Sequence, residues 1–424
     1  MWHVVFSQPD LAADSEVKTI SFSGLAVLLV LGSVGYGLHR KLQRWPSARI
    51  AVLSCLGVGI VLGPFVLLEW LGPLRSRMAH FVLSFFGVVA GFRWLELICG
   101  TGPAGFDHSA KNFVIYFTSP AEVLFEEGGL KPSRDGLVAE LLFRIAKHML
   151  IGTLVLSLGK ATDFSPFLEE DPAVLPLLGF PWALPAIYLQ TLYVYCTLAT
   201  AMLMHRLLPA FFGIDSVDPM QTPLLLSTSL RDFWGRRWNL VVHRLMKRTF
   251  FLPVAGSSAW TRRLAGLLAF MMSGVFHEYM WLAVNWNSRD SFVPGLSLLF
   301  FLVQFALCAL EASLTALAPG VAGASLPAPL KTVLTTALIL PFGPLFLQGI
   351  RPMALECTEQ GQTFSLVDGG EGVVSGPPPL DWVLCCAVGV AATARSAWRG
   401  AKQRSGGLAP KVSVVPVLPT CEGA

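Results

Sequence analysis

The sequence predicts an all-α fold, a polytopic transmembrane helical bundle of about nine spans. Three observations predict it. The 424 residues are 54% hydrophobic and only 14% charged, and the mean hydropathy is +0.60, far too apolar for a soluble domain of this length. Apolar runs of about 20 residues, the length that crosses a bilayer, recur along the whole chain. The Lys and Arg residues between those runs fall mostly on one side.

In chain order the candidate spans are 19–38, 50–71, 79–99, 139–158, 183–208, 264–285, 293–316, 330–349 and 380–396. The third contains Arg93 and Glu96 and the fourth Arg144, Lys147 and His148, so either is open to being a re-entrant or interfacial helix. With the N-terminus outside, 21 Lys and Arg collect on one side. Only six, Lys18, Arg75, Arg77, Lys160, Arg289 and Arg351, collect on the other. That asymmetry makes the first side cytoplasmic, with a luminal N-terminus and a cytoplasmic C-terminus. Segment 100–138 is too polar to span, and its Phe113, Val114, Phe117 and Leu124 suit a helix lying on the cytoplasmic face. Loop 351–379 and tail 397–424 are rich in Gly, Pro and Ser, a composition expected to be poorly ordered. The chain therefore divides into a multi-span domain over 1–396, with its catalytic core about 183–350, and a cytoplasmic tail over 397–424.

Composition also excludes several classes. The net charge of +4 says little by itself. The eight cysteines show no CxxC or Cys/His spacing, which predicts reduced packing residues with no metal site and no disulfide framework. No P-loop, dinucleotide fingerprint, GxSxG elbow or HxxxD pattern stands out. His277-Glu278 is followed by Trp281 at the position where a zinc protease needs its second histidine, so that chemistry is excluded too.

One stretch concentrates polar, aromatic and ionisable residues, from Ser227 to Tyr279. Ser229 followed by Asp232 is a capping-box pattern. It predicts a helix through Trp234, Trp238 and His243 toward Lys247, with Trp234 and Trp238 on one face and an Asp232–Arg236 pair at the favourable spacing. Arg237, Arg244, Lys247 and Arg248 would leave a cationic face. Such a face suits a phosphate-rich cytosolic ligand, acyl-CoA among them, or merely lipid headgroups. His277 lies 14 positions beyond Arg263, roughly 21 Å along a helix within a core of roughly 30 Å. An ionisable residue at that depth is a functional candidate by default. A neutral imidazole there could take the proton of an alcohol as its oxygen attacks a thioester carbonyl. Asn239, polar without being titratable, could orient that imidazole or bond the developing oxyanion. Ser273, Glu278 and Tyr279 are weaker candidates.

Ser-Leu-Arg-Asp-Phe-Trp-Gly-Arg-Arg-Trp-Asn (229–239) together with Phe-His-Glu (276–278) resembles the membrane-bound O-acyltransferase superfamily. Within it the likeness is to the wax synthase, or long-chain-alcohol O-fatty-acyltransferase, branch. The resemblance covers Phe211–Pro253 and Leu264–Leu282; the first 200 residues match only as a series of apolar spans. It implies an endoplasmic-reticulum enzyme of many spans that uses acyl-CoA as co-substrate, with His277 as base and Asn239 as its partner. Trp234 and Trp238 would wall the site, and Arg236, Arg237 and Arg244 would help hold CoA. The partners implied are acyl-CoA, a hydrophobic alcohol and membrane lipids, with no nucleic acid, no metal and no bound cofactor. The acceptor stays open between a fatty alcohol, a sterol, a diacylglycerol and a terpenoid alcohol. A transporter would instead place ionisable residues on several spans in two matched halves, and a scaffold would not need Asn239 and His277 together.

Overall fold

The computed structural model describes residues 3–5, 11–72, 74, 76–126, 128–161, 184–286, 293–317, 326–347, 349 and 365–367. In order, the helices are α1 (Leu11–Leu42), α2 (Pro46–Leu71), α3 (Arg77–Cys99), α4 (Ala110–Thr118), α5 (Leu137–Ala161) and α6 (Leu184–Phe211). The short helices α7 (Pro223–Leu226), α8 (Leu230–Asp232), α9 (Leu240–Met246) and α10 (Leu252–Val254) follow. The long helices α11 (Ala259–Val284) and α12 (Leu296–Leu317) and then α13 (Ala328–Ile339) complete the bundle. Among the described residues, eight helices are long and apolar enough to cross a membrane. They include the two charge-bearing runs at 77–99 and 137–158 as full-length helices. The expected ninth span, the 351–379 loop apart from Ser365–Val367, and the tail lie outside the described residues.

The helix α3 is central. It packs against α1, α2, α4 and α11, and it buries its two charged residues, Arg93 at 3% exposure and Glu96 at 0%. Both are accommodated by polar partners inside the protein. Arg93 Nη1 donates to the carbonyls of Tyr116, Phe117 and Ser119 at 2.7, 3.3 and 2.6 Å. These are the open carbonyls at the C-terminal end of α4, where a cation is favoured. The arrangement corrects the reading of 100–138 as a surface helix. The apolar face of α4 points inward: Phe113 and Phe117 stack at 4.6 Å in a core cluster with Leu53, Trp94, Phe106 and Tyr116.

On the outer surface, Val58, Leu62, Val66 and Trp70 of α2 stand every four residues at 58, 53, 66 and 79% exposure. A helix with such a stripe is built to face lipid. Between spans, packing and polar contacts rather than apolar burial must hold the helices together, because lipid is as apolar as the core. Tyr279 Oη donates to Val61 O at 2.6 Å, joining α11 to α2. Trp94 Nε1 donates to Leu53 O at 2.6 Å, joining α3 to α2. Contacts of this kind contribute about 0.6 kcal/mol on average and up to about 2. Gly274 on α11 lets α12 approach: a Cβ there would stand 2.7 Å from Leu298 Cα.

The two polar connectors expected on the cytoplasmic side do meet. Val123 bridges Ser216 and Pro132 bridges Ile214, and Leu124 N–H donates to Asp215 O at 3.0 Å. Asp215 and Asp218 tie this junction to Arg206 and Arg144 at the ends of α6 and α5. The four described cysteines, Cys55, Cys99, Cys196 and Cys308, are free.

Candidate active site

The motif segment begins as its sequence predicts and then departs from it. Ser229 caps α8, its hydroxyl accepting from Asp232 N–H at 2.9 Å. The Asp232 carboxylate reaches back to Thr228 N–H at 3.2 Å, a variant of the capping box shifted by one residue. Next comes a π-helical turn over Phe233–Arg237, a widening common at functional sites. It moves the ion pair from the expected i+4 position to i+5: Asp232 pairs with Arg237 at 2.7 Å, while Arg236 stands exposed. The predicted continuous helix to Lys247 is broken at Asn239, whose φ is +41°. A left-handed residue cannot continue a right-handed helix, so the chain turns and restarts as α9. Asn239 supplies the new cap, its Oδ1 accepting from Val242 N–H at 3.2 Å.

This break aims the motif's rings. Trp234 and Trp238 lie 6.3 Å apart edge-to-face, sharing a face as expected, and Phe233 stacks on Trp238 at 5.4 Å. Trp238 also meets Tyr195 of α6 at 6.4 Å. Behind that ring, His148 Nε2 lies 3.1 Å from Tyr195 Oη. On the other side Trp234 contacts Phe270 of α11 at 6.0 Å and Phe300 and Phe301 of α12 at 6.1 and 5.8 Å.

His277 approaches the same aromatic wall from α11. Its ring stacks on Phe301 at 5.0 Å and meets Phe346 at 4.9 Å and Phe276 at 5.0 Å. Phe301 therefore touches both His277 and Trp234, and it is the residue through which the structure brings the motif and the histidine together. Among the described residues no hydrogen bond joins Asn239 to His277. The imidazole is held by its own helix: Nδ1 lies 2.7 Å from Ser273 O. A carbonyl only accepts, so Nδ1 carries the proton and a neutral His277 keeps an unprotonated Nε2.

The three weaker candidates all have structural partners. Ser273 supplies that carbonyl, Tyr279 bonds α2, and Glu278 accepts from the N–H groups of Gly295, Ser297 and Leu298 at 2.9, 2.7 and 3.1 Å.

The expected cationic face is largely neutralised from within. Arg244 pairs with Glu122 at 2.8 Å. Arg248 pairs with Glu96 at 3.0 Å and Glu122 at 2.8 Å, with all three side chains at most 11% exposed. Burial works against the Arg248 charge, but Tyr116, Glu122 and Glu96 outweigh it and hold the guanidinium above its usual range. The Tyr116 phenol, which donates to Glu96, is pushed up by burial and by that carboxylate. Breaking such a buried pair from one side costs about 3–5 kcal/mol, more than any single interhelical contact above. The network thus anchors the turn Lys247–Phe251 to α3. Of the basic residues expected to meet CoA, Arg236 stays exposed, and Arg237 and Arg244 each carry a carboxylate partner.

Several site residues were not singled out in the sequence: Phe301, Phe346, Glu311, Glu122 and Gln304. Glu311 accepts from Leu230 and Arg231 N–H at 3.0 and 3.3 Å, closing the first turn of the motif. Gln304, with Oε1 accepting from Trp234 Nε1 at 3.3 Å, had a readable signal as a carboxamide midway along an apolar span.

Residues 217–303 match the Membrane bound O-acyl transferase family. The chain is 36% identical over 139 residues to a long-chain-alcohol O-fatty-acyltransferase of Simmondsia chinensis, covering 30% of this chain and 38% of that protein. It is 37% identical over 85 residues to a protein of Arabidopsis thaliana named probable long-chain-alcohol O-fatty-acyltransferase 9, covering 19% of this chain and 25% of that protein. Similarity to acyl-CoA–sterol O-acyltransferase 1 of Arabidopsis thaliana is lower, at 26%, and longer, over 232 residues, covering 52% of this chain and 62% of that protein. The matched stretches span from 25% to 38% of the length of the first three curated relatives.

Proposed function

We propose that the chain, whose residues 217–303 match the Membrane bound O-acyl transferase family and which is similar to a long-chain-alcohol O-fatty-acyltransferase, works as a wax synthase-like enzyme and esterifies a long-chain fatty alcohol with an acyl group from acyl-CoA. The observation that carries the reading is the placement of His277. It sits in the C-terminal third of α11 (Ala259–Val284), a helix long and apolar enough to cross a membrane, with Nδ1 committed to Ser273 O and the ring against Phe301, which in turn faces Trp234 of the matched motif.

In this mechanism Nε2 of His277 takes the hydroxyl proton of the alcohol as its oxygen attacks the thioester carbonyl carbon. The C–S bond then breaks, and the departing thiolate takes the proton from the imidazolium, so the ester forms with no acyl-enzyme. Asn239 acts by positioning, its cap setting the direction of the motif rings. Trp234 and Trp238 wall the acyl chain, and the exposed Arg236 meets the phosphates of CoA, with Arg237 and Arg244 contributing beyond their Asp232 and Glu122 partners. The chemistry requires no metal or bound cofactor. The endoplasmic-reticulum membrane, where acyl-CoA and lipid alcohols meet, is the proposed location, with the N-terminus luminal.

A sterol is the second acceptor reading, favoured by the likeness to the sterol acyltransferase over half of this chain. The test uses microsomes of an ester-deficient host expressing wild type or His277→Ala at matched protein level, supplied with labelled acyl-CoA and either a fatty alcohol or a sterol. Wild type is expected to form the fatty-alcohol ester, and the variant to be slower by about 10²–10⁴-fold, the contribution of a general base. Ester from the sterol alone would move the acceptor. Equal rates from wild type and His277→Ala would remove the histidine from the mechanism.

A further inference from the structure

Gln304 stands on α12 at 0% exposure, one turn beyond Phe300 and Phe301 and on the same face. Its two ends are treated differently. Oε1 receives Trp234 Nε1–H at 3.3 Å. An indole N–H only donates, so this contact assigns the oxygen and directs Nε2 to the opposite side. Among the described residues Nε2 has no hydrogen-bond partner. Buried polar groups are nearly always bonded, and an orphan at a functional site calls for a ligand.

The surroundings say what that ligand offers. An amide nitrogen only donates, so the group sought is an acceptor oxygen in an apolar setting. Phe301, one turn away, carries His277 against its ring at 5.0 Å and Trp234 at 5.8 Å. The base, the motif and the orphan donor therefore converge on one helix face.

We propose that Gln304 Nε2 donates a hydrogen bond to the acyl carbonyl oxygen of the thioester and stabilises the oxyanion formed on it, a catalytic role that rests on the acyl-transfer reading above. When the alcohol oxygen bonds to the carbonyl carbon and its proton passes to His277 Nε2, the carbonyl electron pair moves onto the oxygen facing Gln304. When the C=O re-forms, the C–S bond breaks and the thiolate recovers the proton. Trp234 has a defined part in this: by holding Oε1 it fixes the amide before substrate arrives, the preorganisation that makes such donors effective.

The test is steady-state ester formation by the full-length protein in detergent, for wild type, Gln304→Met, Trp234→Phe and the double variant. Methionine keeps the length and removes the donor. Gln304→Met is expected to lower kcat by about 10²–10³-fold, the loss typical of an oxyanion donor, with KM for acyl-CoA within about threefold; Trp234→Phe should cost about tenfold or less. A kcat for Gln304→Met within threefold of wild type overturns the proposal. Equal losses in both single variants with no further loss in the double variant overturn it as well, because Gln304 would then serve only to anchor Trp234. Should Gln304→Met fail to accumulate, Gln304→Leu decides on the same criteria, since it keeps an apolar side chain of similar bulk and removes the amide donor. Wild type that forms no ester from any acyl-CoA takes down the acyl-transfer reading itself, an outcome distinct from active wild type with an unaffected variant.

Discussion

Asn239 shows how one residue does two jobs that the sequence does not separate. Its backbone is left-handed at φ +41°, a conformation asparagine tolerates better than most residues, and its side chain closes the first turn of α9. Alanine would lose the cap, about 1 kcal/mol, and carry the left-handed cost of roughly 1–2 kcal/mol. Glycine would remove the side chain while relieving the backbone. We expect Asn239→Ala to melt below Asn239→Gly, and Asn239→Gly below wild type, in thermal denaturation of detergent-solubilised protein. An alanine variant as stable as wild type would show that the left-handed cap does not hold the break. The residue scale also explains why the Arg236 pairing fails: π geometry brings position i+5, Arg237, over Asp232, and residue spacing alone does not reveal which helical pitch will form.

At the scale of elements, α12 works as a strut between the histidine and the motif. At its N-terminus three backbone N–H groups converge on Glu278, the neighbour of His277, where a carboxylate is favoured by the helix dipole. Toward its other end Glu311 receives the first N–H groups of α8. Between them Phe301 and Gln304 touch His277 and Trp234. Replacing Glu311 with alanine leaves two helix-end donors unbonded and removes a cap contribution of about 1 kcal/mol. Hydrogen exchange by mass spectrometry should then quicken at 230–232, with α11 from 270 to 284 unchanged. Unchanged exchange at 230–232 would show that Glu311 does not hold the motif.

At the scale of the whole molecule, charge decides the connections. The Glu96–Arg248–Glu122 network fastens the segment after the motif to the central helix, and Asp215 and Asp218 fasten the connector before it to α5 and α6. Both polar connectors lie on one side of the bundle, the side to which the Lys and Arg count assigns the cytoplasm. With tags at both ends, protease added to sealed microsomes should remove the C-terminal tag and spare the N-terminal one until detergent is added. Loss of the N-terminal tag from sealed vesicles would reverse the orientation.

The sequence by itself determined the class of fold, most of the span positions, the cap at Ser229 and the two stretches, around Trp234 and around His277, that the fold joins at Phe301. These follow from local quantities: hydropathy over a span length, residue type at a helix end, an ionisable group in an apolar run. Only the tertiary structure decided that α4 faces inward, that the helix breaks at Asn239, that Arg244 and Arg248 are matched by Glu122 and Glu96, and that Phe301 links His277 to Trp234. Each of those depends on a partner far away in the chain; Glu122 and Arg248 stand 126 positions apart. Whether a buried charge is paired, or a ring packed, is settled by what the fold brings beside it, and a linear pattern holds no record of that distance.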